Sequence, residues 1–223
     1  MVRRRAEILS ELVVVTGLLV LPAFLRGLFI FLHPDVPIIR PEHASWHFGV
    51  ATASYLLMLG LLAHIVRLNA ETLETFTRRF ELKDLLRGLG LMIWIGTAYY
   101  GSYRFLYSLG LQENERGFDQ FRVPLSVFYV LSMLLNPFVE EVFVRAFLQT
   151  RLTQMTVHGA AIVLISTLLQ TSYHIYQGLL PCLALLPGFL ILAAYYQASR
   201  RLWPVIVAHL LSDILGMLIL TKS

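Results

Sequence analysis

The strongest constraint on this chain is a series of seven apolar runs, each near the length that crosses a bilayer as a helix. About 20 mostly apolar residues span the hydrocarbon core, because a helix rises 1.5 Å per residue. The runs are Ile8 to Leu32, Trp46 to Val66, Leu85 to Leu109, Val123 to Phe143, His158 to Tyr176, Leu179 to Ala198 and Trp203 to Thr221. Only Gly178 and Pro181 mark the break between the fifth and sixth. Composition agrees: 57% of residues are hydrophobic and 14% charged, where soluble chains carry about 25% charge. Such a chain is neither a water-exposed globule nor disordered. The pattern predicts an all-α, polytopic transmembrane bundle of about seven spans, forming one integral membrane domain over residues 1–223, with N-terminal spans in 8–122 and a core in 123–221.

The first run follows Arg3, Arg4 and Arg5, as a secretory signal would, but a signal's apolar region is only about 7 to 15 residues long. It reads as a retained span. Lys and Arg on alternate connections number 11 on one side and 5 on the other, which places the N-terminus in the cytoplasm and the C-terminus outside. Short connections point to a prokaryotic plasma membrane. Leu73, Phe76 and Phe80 recur at helical spacing among charges, predicting a short interfacial helix on the cytoplasmic surface. His33 to Ser45, with Pro34, Pro37 and Pro41, reads as an irregular loop. The net charge of +4 reads as charge flanking spans, so the bilayer is a partner and nucleic acid is not. Cys182 is the only cysteine, which excludes an internal disulfide and a cysteine-based zinc site.

Of the 14 acidic residues, eleven lie in the N-terminal segment or the connections. Glu140, Glu141 and Asp213 fall within or at the end of apolar runs, where a charge is costly and usually faces the bundle interior. Glu141 and Arg145 are four apart with the glutamate N-terminal, the order that favours an ion pair. Glu140 is rotated by about 100° on the helix and is the free carboxylate of the pair. Histidines supply candidate partners: His174 near the end of the fifth run, and His209 in the seventh, stacked over Asp213 four residues on. Arg26, His64, Arg87 and Arg104 are solitary and read as snorkelling or bonding to a neighbouring helix. His43 and His47 read as interfacial.

The ordered set Glu140-Glu141-x-x-x-Arg145, then His174 four residues after Gln170, then His209-x-x-x-Asp213, resembles the three motifs of the CAAX protease and bacteriocin-processing intramembrane protease family, also called Rce1-like or Abi. The resemblance covers the chain from about Val123 onward. Gln170 stands where that family usually has phenylalanine, and Asp213 where its prenyl-protein proteases have asparagine. The resemblance implies peptide-bond hydrolysis in a membrane-associated, possibly prenylated, peptide or protein. Glu140 and His174 would activate a water, and His209, oriented by Asp213, would stabilise the oxyanion. Zinc held by Glu140, His174 and His209 is the alternative chemistry. The same buried groups also suit a small proton- or ion-coupled transporter, or a bacteriocin-immunity scaffold that binds a peptide without cutting it. One geometric expectation follows: Glu140, His174 and His209 surround a single cavity, although His174 lies near the outer end of an upright fifth span and His209 nearer the inner end of the seventh.

Overall fold

The structure, a computed structural model, describes residues 5–37, 39–112 and 126–220. All seven runs are helical, and no strand occurs among the described residues. Arg3, Arg4, Val123 and Thr221, named in the sequence argument, lie outside them. The first run forms α1 (Arg5–Leu19) and α2 (Leu21–Leu32), with Pro22 in the first turn of α2 where a missing N–H is tolerated. Then come α3 (Ala44–Leu68), a one-turn α4 (Leu73–Phe76), α5 (Lys83–Ser108), α6 (Val127–Glu141), α7 (Thr150–Gln154), α8 (Gly159–Ser172), α9 (Leu179–Ser199) and α10 (Leu202–Leu220). Arg5–Leu32, Ala44–Leu68, Val127–Gln154 and Leu179–Ser199 are each long and apolar enough to cross a membrane. The protein is an all-α membrane helix bundle. In it α5 packs against α9 and α10, α8 against α9, and α3 against α6.

Two departures from the expected spans place the site. The fourth run does not stop at Phe143: α6 continues through a π-helical stretch, Val142–Gln149, into α7, making one helix of 28 residues. Pro137 already removes one ladder donor within α6, and a π stretch is a frequent companion of functional residues. Every residue from Phe143 to Gln149 is buried, so this stretch is the axis of the core. The fifth run is shorter than expected: α8 has 14 residues, about 21 Å at 1.5 Å each, against a core of about 30 Å. It ends inside the bundle in a 3-10 turn, Ile175–Gln177. Gly178 then adopts φ 100° and ψ 164°, a region open essentially to glycine alone, and α9 begins. The α2 helix lies on this turn, and a Cβ on Gly27 would meet the Tyr173 carbonyl at 3.2 Å.

The expected interfacial helix is a single turn. Beyond Phe76 the chain extends, because Thr77 Oγ1 accepts the Leu202 N–H at 3.0 Å and the Arg78 N–H donates to the Arg200 carbonyl at 3.1 Å. Phe76 is buried beneath the corner between α9 and α10, where Tyr196 OH donates to its carbonyl. Of the three apolar residues of this segment, Phe76 is docked on protein, while Leu73 and Phe80 stay exposed.

Buried arginines tie this end of the bundle together. Arg151 is fully buried, donates to both Glu71 oxygens at 2.7 Å and to Glu11 at 2.6 Å, and stacks on Phe76 and Phe147. Arg201 grips Asp84 through two 2.8 Å bonds and reaches Glu81 at 2.9 Å. Arg87, expected to be solitary, bonds to Asp84 at 2.8 Å. Breaking a buried pair strands its partner charges, which costs about 3–5 kcal/mol. Arg151→Ala should therefore lower the thermal unfolding temperature in detergent far more than Arg79→Ala, which removes only the exposed pair with Glu74.

Asp84 lies one residue ahead of its apolar run, and burial alone would raise its pKa. Hydrogen bonds from Arg201, the Glu81 N–H and Arg87 outweigh that and hold it at about 2. A depressed carboxylate contributes stability that is complete above its unfolded pKa and is lost as pH falls through the folded one. Thermal stability should accordingly decline between pH ~4 and ~2, and Asp84→Asn should flatten that decline.

Candidate active site

Glu140 and Glu141 sit halfway along the 28-residue helix, too deep to be headgroup anchors. Glu141 is fully buried. Its Oε1 accepts from Gln170 Nε2 at 3.1 Å and from His209 Nδ1 at 2.8 Å, and its Oε2 lies 3.2 Å from Arg145 Nε. The last contact is an ion pair without hydrogen-bond alignment. Arg145, also fully buried, donates to Ser166 Oγ at 2.6 Å, to the Phe189 carbonyl at 3.3 Å and to Gln170 Oε1. A guanidinium has five donors in a fixed fork, and α8 and α9 supply its acceptors.

Glu140 faces another way. It is half-buried and accepts from Tyr173 OH at 3.1 Å and Gln170 Nε2 at 3.3 Å, both neutral donors. It lines a cavity of about 300 Å³ together with Asn136, Tyr173, His174 and Tyr176. His174 belongs to the turn after α8, and its Nδ1 lies 2.8 Å from the Gln170 carbonyl. A carbonyl only accepts, so Nδ1 carries the proton and Nε2 is the nitrogen left for chemistry.

The expectation of one cavity shared by Glu140, His174 and His209 holds for the first two. The early end of α8 also removes the expected depth mismatch between His174 and His209. His209 is not among the residues lining this cavity; it joins the site through Glu141, and the Phe189 ring packs against both imidazoles, with centroids 4.9 Å from His174 and 6.4 Å from His209. The expected Asp213 contact is looser than the spacing suggested. Asp213 Oδ1 lies 3.7 Å from His209 Nε2, outside hydrogen-bond range, while Glu141 on the facing helix takes Nδ1. The residue that orients His209 by hydrogen bond is Glu141.

Among the described residues, no three His, Cys, Asp or Glu side chains gather as a metal-ligand set. Glu141 and the Gln170 carbonyl engage the Nδ1 atoms of the two site histidines, which leaves each Nε2 open, but His209 does not line the cavity that Glu140 and His174 share, and the three are not gathered as a ligand set.

Four polar groups carry the site beyond the residues singled out from sequence: Gln170 at its centre, Ser166 and Gln149 behind Arg145, and Tyr173 beside Glu140. Ser166, Gln170 and His174 recur every four residues in a mostly apolar run, a polar helical stripe that marks the same face.

The site is a buried acid–imidazole constellation inside a membrane bundle, half of it locked in an ion pair and half opening on a cavity. A carboxylate and an imidazole opening on one cavity are suited to general acid–base chemistry. Residues 122–215, which hold every residue from Glu140 to Asp213, match the model of the Rce1-like family, described as type II CAAX prenyl endopeptidase Rce1-like. No curated protein and no solved structure matches the chain.

Gln170 bridges both glutamates and Arg145 at once, so Gln170→Leu leaves buried partners unsatisfied. Each orphaned group costs about 1–3 kcal/mol. The variant should unfold at clearly lower temperature than Ser172→Ala, whose hydroxyl bonds only its own helix at 2.7 Å.

Proposed function

We propose that the protein is an intramembrane endopeptidase of the CAAX-processing type, acting on a membrane-associated peptide or lipidated protein. The observation that carries the proposal is that Glu140, midway along the Val127–Gln154 helix, and His174 open on one cavity within the Rce1-like segment. Glu140 takes a proton from a water held against His174 Nε2. The resulting hydroxide attacks the scissile carbonyl carbon, and the proton passes to the amide nitrogen as the C–N bond breaks. Tyr173 OH and Gln170 Nε2 hold the carboxylate in place for this transfer.

His209 stabilises the developing oxyanion, by substrate approach to its Nε2. That role requires a proton on both nitrogens, because the Nδ1–H is already given to Glu141. Glu141 on one side and Asp213 on the other balance such a cation. Asp213 then acts as a nearby counter-charge, and Glu141, fixed by Arg145, sets the ring's direction. In this reading the end of the bundle that holds Arg151, Arg200 and Arg201 is cytoplasmic, in line with the distribution of positive charge.

A general base contributes about 10²–10⁴-fold. Glu140→Gln should reduce cleavage of a prenylated reporter peptide by that order while its thermal unfolding stays near wild type. Retained cleavage would remove Glu140 from the mechanism, and ion flux into proteoliposomes without cleavage would favour the transporter. Because no step passes through a metal, cleavage should continue in the presence of a strong chelator; a loss restored by added zinc would contradict the mechanism.

A further inference from the structure

The segment that joins α3 to α5 is bonded on one side to the corner between α9 and α10. Tyr196 OH donates to the Phe76 carbonyl, Thr77 Oγ1 accepts the Leu202 N–H, and Arg201 reaches the Arg79 carbonyl at 3.2 Å. The segment is therefore a fixed plate rather than a loose loop. Its other side faces out of the bundle. There Leu73, Phe80 and Leu82 are 66%, 49% and 78% exposed, and Arg78, Arg79 and Lys83 are exposed as well. The acids of the plate are already committed, Glu74 to Arg79 at 2.9 Å and Glu81 to Arg201 at 2.9 Å. The side chains of Arg78 and Lys83 make no hydrogen bond or ion pair among the described residues.

We propose that this plate binds acidic phospholipid, with Leu73, Phe80 and Leu82 entering the edge of the acyl layer and Arg78 and Lys83 holding the anionic headgroup. Depth and charge both support this occupant. The α3 helix has 25 residues and is apolar enough to cross a membrane. It runs about 37 Å at 1.5 Å per residue against a hydrocarbon core of about 30 Å, so its end and the plate that follows lie in the headgroup layer. Trp203, in the first turn of α10, marks the same level. Its ring meets Phe80 edge-on with centroids 5.8 Å apart, and tryptophan settles where acyl chains give way to headgroups. A soluble partner would cover the apolar side chains equally well, but two uncommitted cations at headgroup depth match the bilayer's own anions. Long basic side chains there lay their stems on the acyl edge and keep their charge among the phosphates. The Thr77 bond to Leu202 closes the start of α10, so lipid held on the plate also braces the helix that carries His209.

The test reads Trp203 fluorescence in nanodiscs, using the full-length protein with Trp46→Phe and Trp94→Phe, both replacements at exposed positions. Lipid brominated in its acyl chains quenches an indole beside it, and it is titrated into a phosphatidylcholine bilayer. Half-maximal quenching should need at least about fivefold less brominated phosphatidylglycerol than brominated phosphatidylcholine, the preference that one cation near the surface confers. Arg78→Gln combined with Lys83→Gln should erase the difference. Arg78→Lys combined with Lys83→Arg, which keeps both charges, should preserve it. Equal half-points for the two lipids with Arg78 and Lys83 in place overturn the proposal without any charge variant. So does a preference that survives the loss of both cations. Displacement of brominated phosphatidylglycerol by millimolar inorganic phosphate would assign the cations to a soluble anion and overturn it too.

Discussion

A carboxylate and a guanidinium, both stripped of water in the middle of a membrane helix, are the interaction on which this structure depends. Neither Glu141 nor Arg145 is tolerable there alone, and their mutual attraction offsets desolvation only when the remaining donors and acceptors are filled. The chain fills them from three other helices. Gln170 and Ser166 come from α8, the Phe189 carbonyl from α9, and His209 from α10. One pair therefore dictates how four helices meet, and the meeting point is the site. Glu140 is the by-product of that arrangement. Its neighbour takes the ion pair, and it is left facing a cavity with only neutral donors.

The all-α, apolar character of the chain was legible in its composition and runs, and the three anomalous acids and the two histidines stood out because charge inside an apolar run is rare and costly. The i,i+4 spacing of Glu141 and Arg145 was legible for the same reason. Three matters were not. Hydrophobicity does not say where a helix stops inside protein, so the early end of α8 and the extension of α6 through a π stretch stayed hidden. Spacing along α10 pairs His209 with Asp213, but a facing helix overrides it, and Glu141 takes the imidazole. Gln170 looked like a departure from a motif, although its amide reaches three charged groups that are 25 to 30 residues away. Contacts of that range leave only a trace in sequence, here a polar stripe on α8.

The two halves of the chain contribute differently. The family-matched segment carries Glu140 and His174, while α2 and α3 roof the same cavity with Gly27, Arg26 and His47. Gly27 favours the close approach of α2 to the turn that bears His174, because a Cβ there would press on the Tyr173 carbonyl at 3.2 Å. The basic end of the bundle is clamped by Arg151 and Arg201, far from this roof.

The central claim is that position 140 lies in a water-filled pocket inside the bilayer, within reach of His174. Thiol accessibility tests it directly, with Glu140→Cys made in a Cys182→Ser background and reacted in proteoliposomes with a small, charged methanethiosulfonate. Leu134→Cys, on an exposed apolar position of the same helix, serves as the reference. The account predicts fast labelling at 140, slowed by a bound substrate peptide, and no labelling at 134. Equal inertness of the two positions would contradict it.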